Sequence, residues 1–270
     1  MSSDAGTWQV IPPKGRRGRQ RLADLLTQEA VNAQTRAGTP PATSFLDAAS
    51  IAADHEKLCS KWRDSSSYRE LCALVSANTV GHATIKTAIC LGPGSFDVRD
   101  ESSRYCRSSH DAHVQLEAFR TVVGLLEEKS GYKIQCYAQE PSFGPSDKEY
   151  CHSLGIEVVD TPGAFQHVDS TAFVFGIHLP HVAWGYALSH HLPGLYVGTS
   201  LNSLDELNTA LRDDKALAAV IARVEEMRSS ADRWAFPAGE RHTWLESTFS
   251  STEILWLREK ADDAFGGEKG

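Results

Sequence analysis

Residues 87–98 read TAICLGPGSFDV, an apolar run that stops at Gly92-Pro93-Gly94-Ser95. With the residues just before it, TIKTAICLG (84–92) has the length and glycine stop of a buried strand. Two fates suit the glycines. A Gly-rich turn at a strand end can cradle an anion with its backbone N–H groups. It can also be only a turn. G-x-G is half of a dinucleotide fingerprint, the third glycine is missing, and Pro93 removes one donor, so the loop makes a poor pyrophosphate clamp. A loop of this kind followed by a helix can instead hold an adenosyl group, as in methyltransferase-like folds.

The texture around this stretch sets the fold. SSHDAHVQLEAFRTVVGLLEEKSG (108–131) carries Val114, Phe119, Val122, Val123, Leu125 and Leu126 at helical spacing, and Gly131 stops it. The strand KIQCYAQE (133–140) follows, then a short helix over 145–155 with Pro145 at its start, then the strand IEVVD (156–160). TAFVFGIHLP (171–180) is a strand, HVAWGYALSHH (181–191) a helix and GLYVGTSL (194–201) a strand. SLDELNTALRDD (203–214) has a good helix start, and 215–234 reads as one charged helix. Strand–helix–strand therefore recurs about four times, which predicts a mostly parallel, doubly wound α/β sheet with helices on both faces. Ahead of it, 45–78 reads as helix interrupted near 65–68, and 21–38 as a further helix. The predicted organisation is a flexible basic arm (1–21), a helical extension packing on the core (22–80) and the sheet domain (81–270).

In an open α/β sheet the ligand crevice lies outside the carboxyl ends of the strands. That rule selects Gly92–Phe96, Gln139–Phe143, His178–His181 and Thr199–Asn202. Gly92, Gly94 and Ser95 supply the first wall. Glu140 ends the second strand, where a carboxylate holds ribose hydroxyls in nucleotide-binding sheets; it also suits a loop cap. Phe143 and Asn202 complete the candidate cofactor-binding set. His178 and His181 flank Pro180. An H-x-x-H pair can bind a metal, but no further ligand is assigned by spacing, so no metal site is named. His181, opening a helix, is the candidate acid/base, with a capping histidine as the alternative. There is no G-x-S-x-G elbow and no P-loop, which argues against a serine hydrolase and an NTPase.

Totals narrow the classes. The 270 residues are 41% hydrophobic and 23% charged, with a formal net charge of −8. That acidity disfavours nucleic acid as a partner, apart from the basic arm at Lys14, Arg16, Arg17, Arg19 and Arg21. No apolar window is long enough for a transmembrane helix, and the first residues carry no secretory signal. Six cysteines at 59, 72, 90, 106, 136 and 151 form no C-x-x-C, consistent with reduced thiols in an intracellular protein.

Taken in order, WQVIPPKGRRGR, CLGPGSF, QLEAF, YAQEPSFGPSD and LPHVAWGYAL…LYVGTSLNSL resemble the SRR-like family (sensitivity to red light reduced). The likeness spans about residues 8–202. It implies a Rossmann-like domain in a cytoplasmic or nuclear regulator, tied in plants to light signalling and circadian rhythm and in fungi to growth and stress. No settled enzymatic activity comes with it. The matching positions are Gly92, Gly94, Ser95, Gln115, Glu140, Pro141, Phe143, Asp147, Pro180, His181 and Asn202. The chain departs from the family at Glu140-Pro141, where Asp-Pro is common, at Val182, where a cysteine often follows Pro-His, and at FSST (249–252). Two readings stay open: a regulator that works through protein partners and keeps a small-ligand crevice, and an enzyme using S-adenosylmethionine or another nucleotide cofactor with His181 as acid/base.

Overall fold

The computed structural model describes residues 44–97, 107–179, 181–189, 191–200, 215–239 and 244–259. The basic arm, the 21–38 helix and the 203–214 helix lie outside the described residues. Two helices come first, α1 (Ala48–Arg63) and α2 (Ser66–Ala77). Their boundaries follow from caps: the Asp47 carboxylate accepts the Ser50 N–H, and the Ser65 hydroxyl accepts the Tyr68 N–H, so Ser65 starts a new helix where the first stops. Lys61 and Arg63 sit in the last turn of α1, against the negative end of its dipole.

The sheet elements follow as β1 (Thr87–Leu91), α3 (Arg107–Ser130), β2 (Gln135–Gln139), α4 (Pro145–Ser153), β3 (Ile156–Val158), a 3-10 turn (Gly163–His167), β4 (Ala172–Gly176), α5 (His181–Ser189), β5 (Leu195–Thr199), α6 (Lys215–Ser230), β6 (Ala231–Ala235), α7 (Trp244–Thr248) and β7 (Thr252–Leu257). The seven strands form one sheet in the order β3-β2-β1-β4-β5-β7-β6. β1 pairs in parallel with both β2 and β4, so the chain reverses its direction of growth there and the crevice rule points to the β1/β4 boundary. Only β7 runs against its neighbours β5 and β6.

Burial on both faces explains the continuous apolar strands. Phe173 and Phe175 pack with Trp62, Phe119 and Trp256 under α1–α3, while Ala172 and Val174 pack with Trp184, Leu188 and Tyr196 under α5 and α6. The alternation along β4 is the period of two that a pleated strand imposes. Each fully buried Phe or Leu in these layers contributes about 1.5–3 kcal/mol. Ile51, Trp62, Leu71 and Val75 of the first two helices belong to the same buried cluster as the sheet.

The chain is thus a mostly parallel, Rossmann-like α/β sheet covered on both faces. One sequence expectation needs correction. Residues 215–234 are not a single helix: α6 ends at Ser230 and Ala231–Ala235 form β6 on the sheet edge. Asp232 and Arg233 make that strand look like helix surface, and its ladder is supplied by β7, twenty residues further on. β7 itself, TEILWL, is an antiparallel strand that the repeating strand–helix pattern does not foretell.

Candidate functional site

The parallel strands bring the ends of β1, β2, β4 and β5 to one edge. Beyond β1, Gly92 and Gly94 have φ of 62° and 89°, a region that favours glycine, and this lets the chain turn twice within three residues. The Gly92 N–H donates to the Gln139 carbonyl at 2.9 Å and prolongs the β1–β2 ladder. The Gly94 N–H donates to Glu140 Oε2 at 3.0 Å, while Glu140 Oε1 accepts from the Ser142 N–H and hydroxyl at 2.9 and 2.8 Å. The first two predicted walls therefore meet, and Glu140 is the residue that joins them.

A second carboxylate holds the rest of the loop. Asp147, fully buried at the third position of α4, accepts the Ser95 hydroxyl at 2.8 Å, the Phe96 and Asp97 N–H groups at 2.8 and 3.0 Å, and the Gly144 N–H at 2.8 Å. Burial pushes its carboxyl above the ordinary Asp value, and these donors only partly offset that. Asp97 in turn accepts the Phe45 and Leu46 N–H groups ahead of α1.

These bonds show how the glycine loop is held. The N–H groups of Gly92, Gly94, Phe96 and Asp97 are all committed to acceptors within the protein, three of them to carboxylates. The loop is a carboxylate-tied brace, held by Glu140 at the end of β2 and by buried Asp147 at the start of α4.

The third wall is Leu179. A Cβ built on Gly92 or on Gly176 would overlap its terminal methyl groups, so this side chain lies across the β1/β4 boundary. His178, at φ 55°, is exposed, and its Nε2 donates to the Thr248 carbonyl at 3.1 Å, which anchors the segment to the end of α7. His181 is the first residue of α5, as the sequence predicts. Pro180 and Asn202 lie outside the described residues. Phe143 is 1% exposed and packs on Phe96 with ring centres 5.4 Å apart, so it supports the loop from the core and does not line the crevice. Gln115, on α3, is buried with its Oε1 unpaired among the described residues.

At the far end of the same edge, where β5, β6 and β7 meet, an open cleft of about 500 Å3 is lined by Ser200, Trp234, Phe236, Phe249 and Thr252. Sequence reading missed it because β6 and β7 were not recognised. It also passed over His55, Cys59, His113 and Glu117; their signal is the four-residue spacing of each pair on its own helix.

Among the described residues no helix is long and apolar enough to cross a membrane. No curated protein matches the chain. The fold is similar, weakly, to solved methyltransferase structures. The complex of the Haloferax volcanii Trm112 methyltransferase activator with the putative methyltransferase is 10% identical with a TM-score of 0.35, over 80% of this chain and 100% of that one. The O-methyltransferase from Bacillus cereus in complex with SAH is also 10% identical, with a TM-score of 0.33, over 89% and 96% of the two chains. A family model, the SRR1 domain, matches residues 57–256, from the middle of α1 to the end of the sheet. That match takes in the braced glycine loop, Glu140, Asp147 and all seven strands, and the chain belongs to the SRR1 domain family.

Proposed function

We propose that this chain is a regulatory SRR1-domain protein of the signalling, circadian or stress type, acting in the cytoplasm or nucleus through protein partners, with a small-ligand crevice at the strand carboxyl ends. The observation that carries this reading is the position of Leu179 over Gly92 and Gly176, beside a loop whose Gly92, Gly94, Phe96 and Asp97 N–H groups are committed. On this reading a ligand at the β1/β4 boundary displaces Leu179, whose segment leads into α5, and so couples binding to a change of the surface.

The second reading is a methyltransferase-like enzyme using S-adenosylmethionine. It is favoured by Glu140, which stands at the end of β2 beside the first loop, where ribose hydroxyls can be held. The cationic sulfonium and the donors of that cofactor also suit a carboxylate-rich crevice, which a pyrophosphate does not.

Thermal shift with S-adenosylmethionine, NAD(P) and related nucleotides tests for a ligand, and turnover separates the two. A ligand at 100 times its Kd stabilises by about 2.7 kcal/mol. The regulatory reading expects binding without turnover, and deletion of residues 1–21 to change localisation or partner capture. Release of S-adenosylhomocysteine in the presence of a methyl acceptor establishes the enzyme instead. If no nucleotide shifts the transition, the cofactor reading is lost.

A further inference from the structure

Helices α1 and α3 pack together through two pairs of chemically active side chains. His55 and Cys59 lie four residues apart on α1, His113 and Glu117 four apart on α3, so each pair shares one face of its helix. All four are buried. His55 Nε2 is 3.2 Å from Glu117 Oε2 and 3.5 Å from Cys59 Sγ, and these three atoms lie within 4.8 Å of one another. The other ring nitrogen, His55 Nδ1, faces His113 Nδ1 at 3.2 Å.

Two ordinary explanations leave the convergence of the three atoms unexplained. In a nucleophile–base–carboxylate relay the thiol and the carboxylate engage opposite nitrogens of the imidazole. Here both converge on Nε2, and Cys59 is fully buried, out of reach of a substrate. A hydrogen-bond network accounts for the separate contacts, with Nε2–H donating to Glu117 and the Cys59 thiol donating to the His113 carbonyl at 3.5 Å, but it does not require the thiol sulfur and the carboxylate oxygen to converge on the same ring nitrogen.

One nitrogen, one sulfur and one oxygen gathered about a point supply three of the four positions around a tetrahedral cation, with the fourth left to a water. With Zn–N and Zn–O of about 2.1 Å and Zn–S of about 2.3 Å, ligand atoms stand about 3.3–3.6 Å apart. The observed 3.2 and 3.5 Å are close to that spacing. We propose that His55 Nε2, Cys59 Sγ and Glu117 Oε2 form a site for a zinc-class divalent cation that fastens α1 to α3. The donor set excludes magnesium and calcium, which take oxygen ligands, and suits zinc or cobalt.

Arg63 Nε holds Glu117 Oε1 at 2.7 Å and orients the carboxylate, and Arg120 Nη1, 3.2 Å from Oε2, is the contact a bound cation would replace. A proton on His55 Nδ1 donated to His113 Nδ1 leaves the Nε2 lone pair for the metal, the outer hydrogen bond that ligating histidines commonly make. The Tyr150 ring packs on His55 and the Phe96 ring on His113, and the two rings touch each other. On binding, the Cys59 thiol loses its proton to solvent, and thiolate plus carboxylate balance the two positive charges of the ion.

The test is reconstitution of the full-length protein, stripped with a chelator, with Co2+ alone. The expected result is one equivalent bound per chain, a thiolate-to-cobalt band in the near ultraviolet, displacement by Zn2+, and a higher Tm with Zn2+. The Cys72→Ser variant keeps the band. Cys59→Ser loses it and binds more weakly by at least the about 10–100-fold typical of damage to a metal site. A folded wild type without the band, or a band unchanged in Cys59→Ser, overturns the proposal. If Cys59→Ser does not fold, X-ray absorption on the Zn2+-loaded wild type decides. A single sulfur at about 2.3 Å with nitrogen and oxygen neighbours supports the site, and no sulfur or several sulfurs overturns it.

Discussion

Gly92 and Leu179 share one space: a Cβ on the glycine would overlap Leu179 Cδ2. Gly92 also holds φ at 62°, which costs a residue with a side chain about 1–3 kcal/mol. Gly92→Ala therefore lowers stability through both strain and overlap. Leu179→Ala removes the overlap and leaves the strain, so the double variant is less destabilised than the sum of the two single changes. Denaturant unfolding of the four proteins measures this coupling, and strictly additive effects would show that Leu179 does not rest on Gly92.

Asp147 makes a prediction about pH. It collects four donors from the glycine loop and the α4 cap, so Asp147→Asn sets an amide against N–H groups and costs about 1–3 kcal/mol. Burial raises its carboxyl above the ordinary value of 3.8. Between 3.8 and the raised value the folded chain holds more protons than the unfolded one, so this group's contribution is fullest in acid and declines as pH rises through the folded value. The Tm gap between wild type and Asp147→Asn is accordingly wider below pH 3.8 than at neutral pH. A gap that widens toward neutrality refutes the assignment.

The parts of this architecture that sequence reveals are those written in short range. β1, β2, β4 and β5 are apolar runs closed by glycine or a turn, and their common direction follows from the helices between them. Glu140 and Gly94 could be proposed as neighbours because both follow strand ends. Their contact makes the loop a brace rather than a clamp, and that depends on which N–H groups the carboxylates reach, a three-dimensional fact. Phe143 shows the same limit: an aromatic residue just past a strand suits a crevice wall and a core equally, and only packing on Phe96 decides. β6 and β7 escape because each is stabilised by the other, across a segment of the chain that carries no strand–helix rhythm.

Gly198 and Tyr196 sit two residues apart on β5 and so on one face of the sheet. A Cβ on Gly198 would overlap both the hydroxyl and the Cζ of Tyr196 and come within 2.9 Å of the Gly176 carbonyl. Gly198→Ala has no flexible neighbour to displace and costs about 3 kcal/mol, the upper end for overpacking. The Tyr196 hydroxyl is buried without a partner among the described residues, so Tyr196→Phe leaves stability unchanged or raises it by up to about 1 kcal/mol. Because Cζ remains, Tyr196→Phe does not rescue Gly198→Ala, and calorimetry of the three variants checks each point.

Trp62 tests whether the first two helices fold as one unit with the sheet. It is fully buried, with its ring centre 5.2 Å from that of Phe249, which follows α7, and 6.1 Å from that of Tyr68 on α2. It therefore links α1 and α2 to the far end of the chain. Truncation to alanine removes one of the two tryptophans buried in this layer and costs about 3–5 kcal/mol. If the helices share the core's cooperativity, Trp62→Ala lowers the Tm of a single transition seen equally by far-ultraviolet circular dichroism and by fluorescence. If instead the variant splits unfolding into an early helical step and an unshifted later one, α1 and α2 are a separate appendage, and the buried cluster they share with the sheet does not couple them.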